Sequence, residues 1–570
     1  MKIPADLGER AQFYQDVISQ CQASRQARRD FYRLMRMYYL FGTADDSMID
    51  MCGRFNNIMP HLDQLSSFMF SPETTRFSID IGPSVNSQEY VKVGPLIKGI
   101  HREWHGQNGG GIDVDFKNTL DWSGVYGTML MKFRWKNWKK KNSDGQMEEG
   151  GETQHFLVYP HNFGVYREDK RGLHKQEAFC ETYYITKSQL QNELMSSAHP
   201  RTNEIIDAAQ AGSVGTEGNI GTGQVDRLVV TALQGGSITG TANMTSSNLS
   251  MMYTPTVTQD LIELTELYIY DDDIADFRIV TWMHPNYPIW DRAIGRIFID
   301  GALPYVQVCP RPMEDYFWGA SEVEKLIPLQ DMLNERIQDI RHMLKMQAHP
   351  SSSVTGETAI PDEMQMALDT PSGILALASP AASIKQNQVV IPQDLWRDVD
   401  QIKGFFGEIS GLPPVNQGQG VKGVRSEGHA QMLSQLGSTR PKNRALIVEE
   451  SLDEIATLVL KILKRYDPRP YAEDKEGGQQ FFARQFTEDF VAKVDGHTSS
   501  PVFMENFENK VWKLLEVGMI NKQEALMLLD IPLKELLKQT LVEKIEPAEA
   551  KAHEDEMNLK RLSIASKRQK

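Results

Sequence analysis

Ser321-Glu322-Val323-Glu324-Lys325-Leu326-Ile327-Pro328-Leu329-Gln330-Asp331-Met332-Leu333-Asn334 opens the most regular helical pattern in the chain. A serine followed three residues later by a glutamate is a capping box, in which each side chain satisfies a backbone N–H left free by the first turn. Leu326, Leu329, Leu333, Ile337, Ile340 and Leu344 then recur every three or four residues. They draw one apolar stripe along roughly six turns of helix. Pro350 ends the pattern.

Downstream, a mixed stretch with small residues runs to Pro392, and residues 393–410 form a second helical pattern ended by Gly411-Leu412-Pro413-Pro414. Next comes a polar, glycine-rich loop, Asn416-Gln417-Gly418-Gln419-Gly420-Val421-Lys422-Gly423-Val424-Arg425. Residues 426–466 carry a very long helical pattern with Pro441 in its interior, where a proline removes a backbone hydrogen bond and kinks the helix. After a short α/β-like stretch to about Val502 the rest reads as helical. Gly518 is a C-cap, Asn521 with Glu524 starts the next helix, and a charged final helix follows Pro547.

Upstream, residues 10–42 read as one helix stopped by Gly42, and 46–70 as a second, interrupted at Pro60. Residues 76–81 alternate as a half-buried strand, and 87–105 are helical with a break or kink at Gly94-Pro95. A helix over 113–126 leads through Gly127 into a strand over 129–135, with Asn142-Ser143-Asp144-Gly145 as a hairpin turn. Further strands follow at 156–159, 179–185, 261–270 and 277–282. Thr186 and Gln189 form another capping box. Residues 197–258, rich in Gly, Ser, Thr and Asn, bury too little apolar surface to offset ordering entropy and read as a flexible insertion.

At 570 residues the chain is long enough for about four units at ~150 residues each. No basic stretch followed by an apolar core opens it, and no apolar run approaches the ~18 residues that span a bilayer. A soluble protein with no membrane association is therefore expected. Cys21, Cys52, Cys180 and Cys309 lie far apart in sequence and form no CxxC pair, which suits a reducing compartment. The net charge is −15. A protein that grips nucleic acid through its whole surface is usually basic, so any contact with DNA is expected to be loose.

Four stretches carry a resemblance. They are Asn57-Ile58-Met59-Pro60-His61-Leu62-Asp63-Gln64-Leu65 with Ser71-Pro72-Glu73, then Leu120-Asp121-Trp122-Ser123-Gly124-Val125-Tyr126-Gly127-Thr128. Phe317-Trp318-Gly319-Ala320-Ser321 through Pro328-Leu329-Gln330-Asp331-Met332-Leu333-Asn334 is the third, and the loop 411–425 with the broken helix behind it is the fourth. In order and spacing over residues 50–530 they resemble the portal, or head-to-tail connector, proteins of tailed bacteriophages, most closely the podovirus-like branch. The insertion at 197–258 departs from that pattern.

The resemblance implies an α+β, predominantly helical portal fold of wing, stem, clip and crown, assembled as a ring, usually of twelve subunits, around a central tunnel. Residues 1–320 would form the wing with its insertion, 321–346 the first stem helix, 347–392 the clip and 393–410 the second stem helix. Residues 411–425 would be the tunnel loop, 426–502 the kinked helix and its return to the wing, and 503–570 the crown with a C-terminal barrel helix. The implied partners are double-stranded DNA, the terminase, a tail adaptor at the clip, and the major capsid and scaffolding proteins. The implied location is the head–tail junction of the virion, after assembly in the host cytoplasm.

On this reading Gln417, Gln419, Lys422 and Arg425 face DNA in the tunnel; the plainer reading makes Lys422 and Arg425 solvated charges ahead of a helix. The stripe from Leu326 to Leu344 either faces a monomer core or packs on a second stem helix through Trp396, Val399 and Ile402. Trp135, Trp138 and Lys139-Lys140-Lys141 read as a strand and hairpin end rather than a nucleic-acid patch, and Asp271-Asp272-Asp273 as a turn rather than a cation site. The loop at 418–423 lacks the lysine and hydroxyl spacing of a P-loop, and neither HExxH nor GxSxG occurs. No cofactor, metal or catalytic residue is expected. The alternatives are another viral ring-forming connector or adaptor, or a packaging enzyme.

Overall fold

The computed structural model describes residues 1–45, 55–81, 90–106, 110–141, 147–209, 261–283, 287–296, 302–348, 352–355, 383–386, 390–411, 439–473, 478–486, 490–494 and 511–519. Helices and strands mix throughout, giving an α+β architecture. The chain opens with α1 (Leu7–Ala27) and α2 (Arg29–Phe41), then α3 (Ile58–Met69), β1 (Phe77–Ile81), α4 (Tyr90–His105) and α5 (Ile112–Tyr126). A long hairpin, β2 (Met129–Lys141) with β3 (Met147–Val158), is followed by β4 (Phe163–Val165), β5 (Ala178–Thr186), α6 (Lys187–Ser196) and α7 (Thr202–Ala208). Then come β6 (Leu261–Asp271), β7 (Asp276–Met283), β8 (Tyr287–Ala293), β9 (Tyr305–Val308) and α8 (Val323–Ala348). The short pair β10 (Ser352–Thr355) and β11 (Ser383–Gln386) precedes α9 (Gln393–Ser410) and α10 (Thr439–Tyr466). β12 (Pro470–Ala472), β13 (Gln480–Phe482) and β14 (Phe490–Val494) complete the order.

Local chemistry explains most boundaries. Asp6 caps α1 by accepting from the Gly8 and Glu9 amides, and Thr186 and Gln189 make the reciprocal capping box of α6. Gly42 ends α2 at φ +67°, donating its N–H to the Tyr38 carbonyl. Gly518 takes φ +74° where the Gly518 and Met519 amides close the last turn. The expected single helix over 10–42 is two helices, parted at Arg28. Its guanidinium donates to Tyr32 Oη and lies 5.1–5.5 Å from the ring centroids of Phe31, Tyr32, Tyr316 and Trp318.

Pro60 and Pro95 act more mildly than expected. Pro60 is the third residue of α3, in a turn whose N–H groups have no intrahelical acceptor, so it interrupts nothing. Pro95 sits within a continuous α4. Pro441 is the third described residue of α10, and residues 426–438, on which the expected kink depends, lie outside the described residues. The insertion begins later than expected, because α7 occupies 202–208 and buries Ile205; residues 210–260 lie outside the described residues. So do the hairpin turn at 142–145, most of the 347–392 stretch, Pro350, and the chain beyond 519.

Two sheets stack at the centre. A five-stranded antiparallel meander has the order β4-β5-β6-β7-β8, and a three-stranded sheet has the order β3-β2-β9. Period-two alternation assigns the faces of the larger sheet. Ala178, Cys180, Leu267, Ile269 and Val280 pack against Tyr14, Val17, Ile18 and Cys21 of α1. Phe179, Tyr268 and Ile279, one residue out of phase, join Phe133 and Tyr305 in the main core. The Asp271-Asp272-Asp273 run is the turn between β6 and β7, with Asp271 held by Arg278 at 2.9 Å. Trp135 and Trp138 lie in β2 and cover Gly151 and Gly150 of the facing strand. α10 runs through the main core, burying Val448, Leu452, Ile455, Val459 and Leu463. β14 then returns to pair with β1, more than four hundred positions earlier in sequence, Phe77 facing Val494.

A second core seats α8. Tyr32, Met35 and Tyr39 of α2, Ile58 and Leu62 of α3 and Val125 of α5 surround Val323, Leu326, Leu329 and Leu333. The approach is set by backbone: a Cβ on Gly127 would stand 2.6 Å from the Gly319 carbonyl oxygen, and one on Gly319 would stand 2.6 Å from that of Gly127. Gly127 also holds φ +88°. Gly127→Ala is expected to lose about 3 kcal/mol from left-handed backbone and overpacking together. Gly404, in the interior of α9 with open space at its Cβ position, is the control. Gly404→Ala is expected to gain about 0.5–1 kcal/mol in the same unfolding titration. A Gly127→Ala protein as stable as its parent would remove the close approach as a constraint.

Candidate functional site

α8 and α9 form an antiparallel pair, fixed at mid-length by Arg336, which donates to Asp398 at 2.7 Å and to Asp339 at 3.2 Å. Leu326, Leu329, Leu333 and Ile340 are buried, and Ile337 is half-buried against the same core. Leu344 is 45% exposed, contrary to its expected place in the seam. Its helix has by then passed the start of α9, so no described residue covers it. On α9 the seam is Val399, Ile402 and Phe406. Trp396, expected in the seam, is 52% exposed. At about 100° per residue it points roughly a quarter-turn away from those three side chains.

The base of the pair is tied to α2 and α3 by a buried polar node built on Gln330 and Asn334, two residues of the third stretch that carries the resemblance. Gln330 donates to Asn334 Oδ1 at 3.0 Å and to the Phe55 carbonyl at 3.2 Å, and it accepts from the Asn57 amide at 3.1 Å. Asn334 donates to the Gly42 carbonyl at 2.8 Å, and Tyr38 donates to Asp331 at 2.8 Å. Ser321 Oγ caps α8 by accepting from the Val323 and Glu324 amides while donating to the Val125 carbonyl at 2.6 Å. In sequence the Gln330 and Asn334 amide side chains stand at i and i+4 beside the apolar stripe, within the stretch Pro328–Asn334 quoted above. The loop residues Gln417, Gln419, Lys422 and Arg425 lie outside the described residues.

Along its length the pair also exposes apolar side chains. Met332, Leu344 and Met346 on α8 and Trp396, Phe405 and Ile409 on α9 are each 37–52% exposed. On the α9 wheel Trp396 and Phe405 project on opposite sides of the Val399–Ile402–Phe406 stripe, about 90° from it in each direction. The pair therefore has apolar groups on both flanks. Among the described residues no helix is long and apolar enough to cross a membrane.

The other concentration of chemistry lies between the two sheets. Lys132 Nζ sits 2.6 Å from Glu181 and 2.7 Å from Glu266. Tyr305 donates to Glu181 at 2.5 Å, and Tyr268 and Tyr183 donate to Glu266 at 3.0 and 3.2 Å. Burial pulls the Lys132 ammonium down, but the two carboxylates outweigh it and hold the pKa above its ordinary value. Burial pushes Glu266 up, and Lys132 and Arg134 outweigh it, leaving the pKa at about 2. Burial drives Tyr183, Tyr268 and Tyr305 far above the ordinary phenol value. These groups keep their ordinary charge states at neutral pH, and none is poised to exchange a proton there.

The sign of each shift fixes a pH dependence. Glu266 contributes stability above its ordinary value of 4.5, and that contribution is lost as pH falls toward 2. Lys132 contributes below its ordinary value of 10.5, and that contribution is lost only as pH rises through its higher folded value. Lys132→Met strands two buried carboxylates and is expected to cost about 3–5 kcal/mol at pH 7. It is also expected to remove the loss between pH 4.5 and 2. Urea titrations at pH 7, 4.5 and 2.5 test both; equal acid sensitivity in variant and parent would refute the assignment.

No protein-family profile matches the chain, and no curated protein matches its sequence. Matches to solved structures number 96 chains. One is described as the neck of an empty GTA particle computed with C6 symmetry. It is similar at 10% identity with a TM-score of 0.37, over 86% of this chain and 95% of that one. Both values are too low to assign a fold or a role.

Proposed function

We propose that the chain is a portal subunit: a structural, non-catalytic protein that closes into a ring at the capsid vertex and lets double-stranded DNA pass. The observation that carries this reading is the helix pair α8–α9, whose base is clamped by the Gln330–Asn334 node while Trp396 and Phe405 leave apolar surface on both flanks. A monomer would hold these groups in water. A contact in which one flank of each copy meets the other flank of the next is heterologous, and it generates a ring when the rotation closes.

In that ring the pair is the stem, the segment between its helices is the clip that meets a tail adaptor, and the loop at 411–425 faces the tunnel. Gln417, Gln419, Lys422 and Arg425 then touch phosphates transiently, within a chain whose net charge of −15 disfavours tight adhesion. Docking of the terminase, and of capsid and scaffolding proteins, belongs to the same proposal, as does a place at the head–tail junction of a virion. A different ring-forming connector shares the flank argument and differs in what docks at each end.

Purified protein imaged end-on by electron microscopy is expected to show annuli wide enough for a double helix. Trp396→Asp, at a 52% exposed position, is expected to leave the helix content unchanged and shift the mass distribution from rings to monomers. Parent protein that stays monomeric at high concentration, or that hydrolyses ATP in proportion to its amount, would overturn the proposal.

A further inference from the structure

A cavity of about 350 Å³ opens between the β2 strand and the five-stranded sheet, beside α6. Its volume lies within the range of small-molecule sites. Leu190, Leu194, Ile279 and Ile289 make its wall apolar. Lys132 and Glu266 line it too, but they already satisfy each other.

Two guanidinium groups on its lining are less well served. Arg134 stands 3.6 Å from both Glu193 and Glu266, attracted by charge but beyond hydrogen-bond reach. The Arg292 guanidinium stands over Trp290, 3.5 Å from the ring centroid, and has neither a hydrogen bond nor an ion pair among the described residues. The β7–β8 register places Arg292 opposite Ile279 and Trp290 opposite Thr281, all on the cavity face. Guanidinium forks present N–H donors in a fixed plane that matches a carboxylate. Of the carboxylates on the lining, Glu266 is held by Lys132, and Glu193 is 53% exposed.

We infer that this cavity binds a monocarboxylate with an apolar body, the carboxylate taken by Arg292 with Arg134 and the body resting on Leu190, Leu194 and Ile279. The same chemistry occurs in a free organic acid and in the C-terminal residue of a polypeptide. The inference is independent of ring formation, since every residue it uses lies within one copy.

The test uses the full chain in whatever assembly it adopts, with phenylacetate as probe and ligand-observed NMR as readout. Phenylacetate is expected to bind saturably, and phenylacetamide and phenethylamine about tenfold more weakly or not at all. Arg292→Gln is expected to weaken phenylacetate about tenfold, with Arg292→Lys between the two and the unfolding midpoints unchanged. A short peptide ending in a free phenylalanine carboxylate, compared with its C-terminal amide, separates the sources. Tighter binding of the free-acid peptide than of phenylacetate supports a polypeptide end, and weaker binding supports a free acid. Absence of saturation, equal binding of acid and amide, or an Arg292→Gln protein that binds as the parent does would each overturn the inference.

Discussion

The backbones at Gly127 and Gly319 approach so closely that neither position has room for a side chain. That contact lies where α5 ends and near the end of the connection from β9 to α8. It brings the Gly124 carbonyl to the Glu322 amide and the Val125 carbonyl to the Ser321 hydroxyl, so the cap of α8 is built partly from another helix. Once the cap is placed, the direction of α8 follows, and with it the position of α9 through Arg336 and Asp398. A helix pair that leaves the body of the molecule needs such a rigid root. The Gln330–Asn334 node supplies the second fixed point, about two and a half to three and a half turns further on, and two points define an axis.

The main core solves a different problem. Two sheets and α10 must be held in register although β1 and β14 come from nearly opposite parts of the chain. Apolar packing is non-directional and does not select a register on its own. Polar links do. Ser451 reaches the Gln307 carbonyl, Thr457 both donates to and accepts from Ala492, and Asp453 accepts from the Val494 amide. The buried Lys132 group acts similarly between the sheets, because its geometry is satisfied only when β2, β5 and β6 stand in one arrangement.

What the sequence disclosed follows the range of the forces involved. Capping boxes, the glycines at 42 and 127, and the leucine stripe act within a few residues, and the helices they predict are present. The break at Arg28 was hidden because its cause is aromatic rings from Tyr316 and Trp318, almost three hundred residues away. The interruption expected at Pro60 is absent because a proline's effect depends on where a helix begins, which composition does not locate. Trp396 and Leu344 were placed in a seam by hydrophobicity alone; the seam's actual width and length depend on the partner helix. The cavity was invisible for the same reason, since residues 134, 193, 266 and 292 meet only through the sheet order. Cys21 and Cys180, far apart in sequence, likewise meet only in the core under α1.

The exposed flanks of α8 and α9 bear on assembly through a comparison of alternatives. Scattered apolar residues on a surface need no explanation. Here six of them fall on one helix pair, and on α9 they lie on two sides rather than one. A single apolar side fits a twofold dimer, in which the same patch meets itself. Two sides separated by the pair's own seam fit a repeating contact, in which each copy offers one flank and receives on the other. Such a contact also tolerates the acidic net charge, because Arg336 and its three nearby carboxylates are arranged within a copy rather than between copies. The root at Gly127 and Gly319 then has a purpose in the assembled state: small errors in the angle of α8 would accumulate around a ring, and a backbone-to-backbone stop limits that angle better than any flexible side chain.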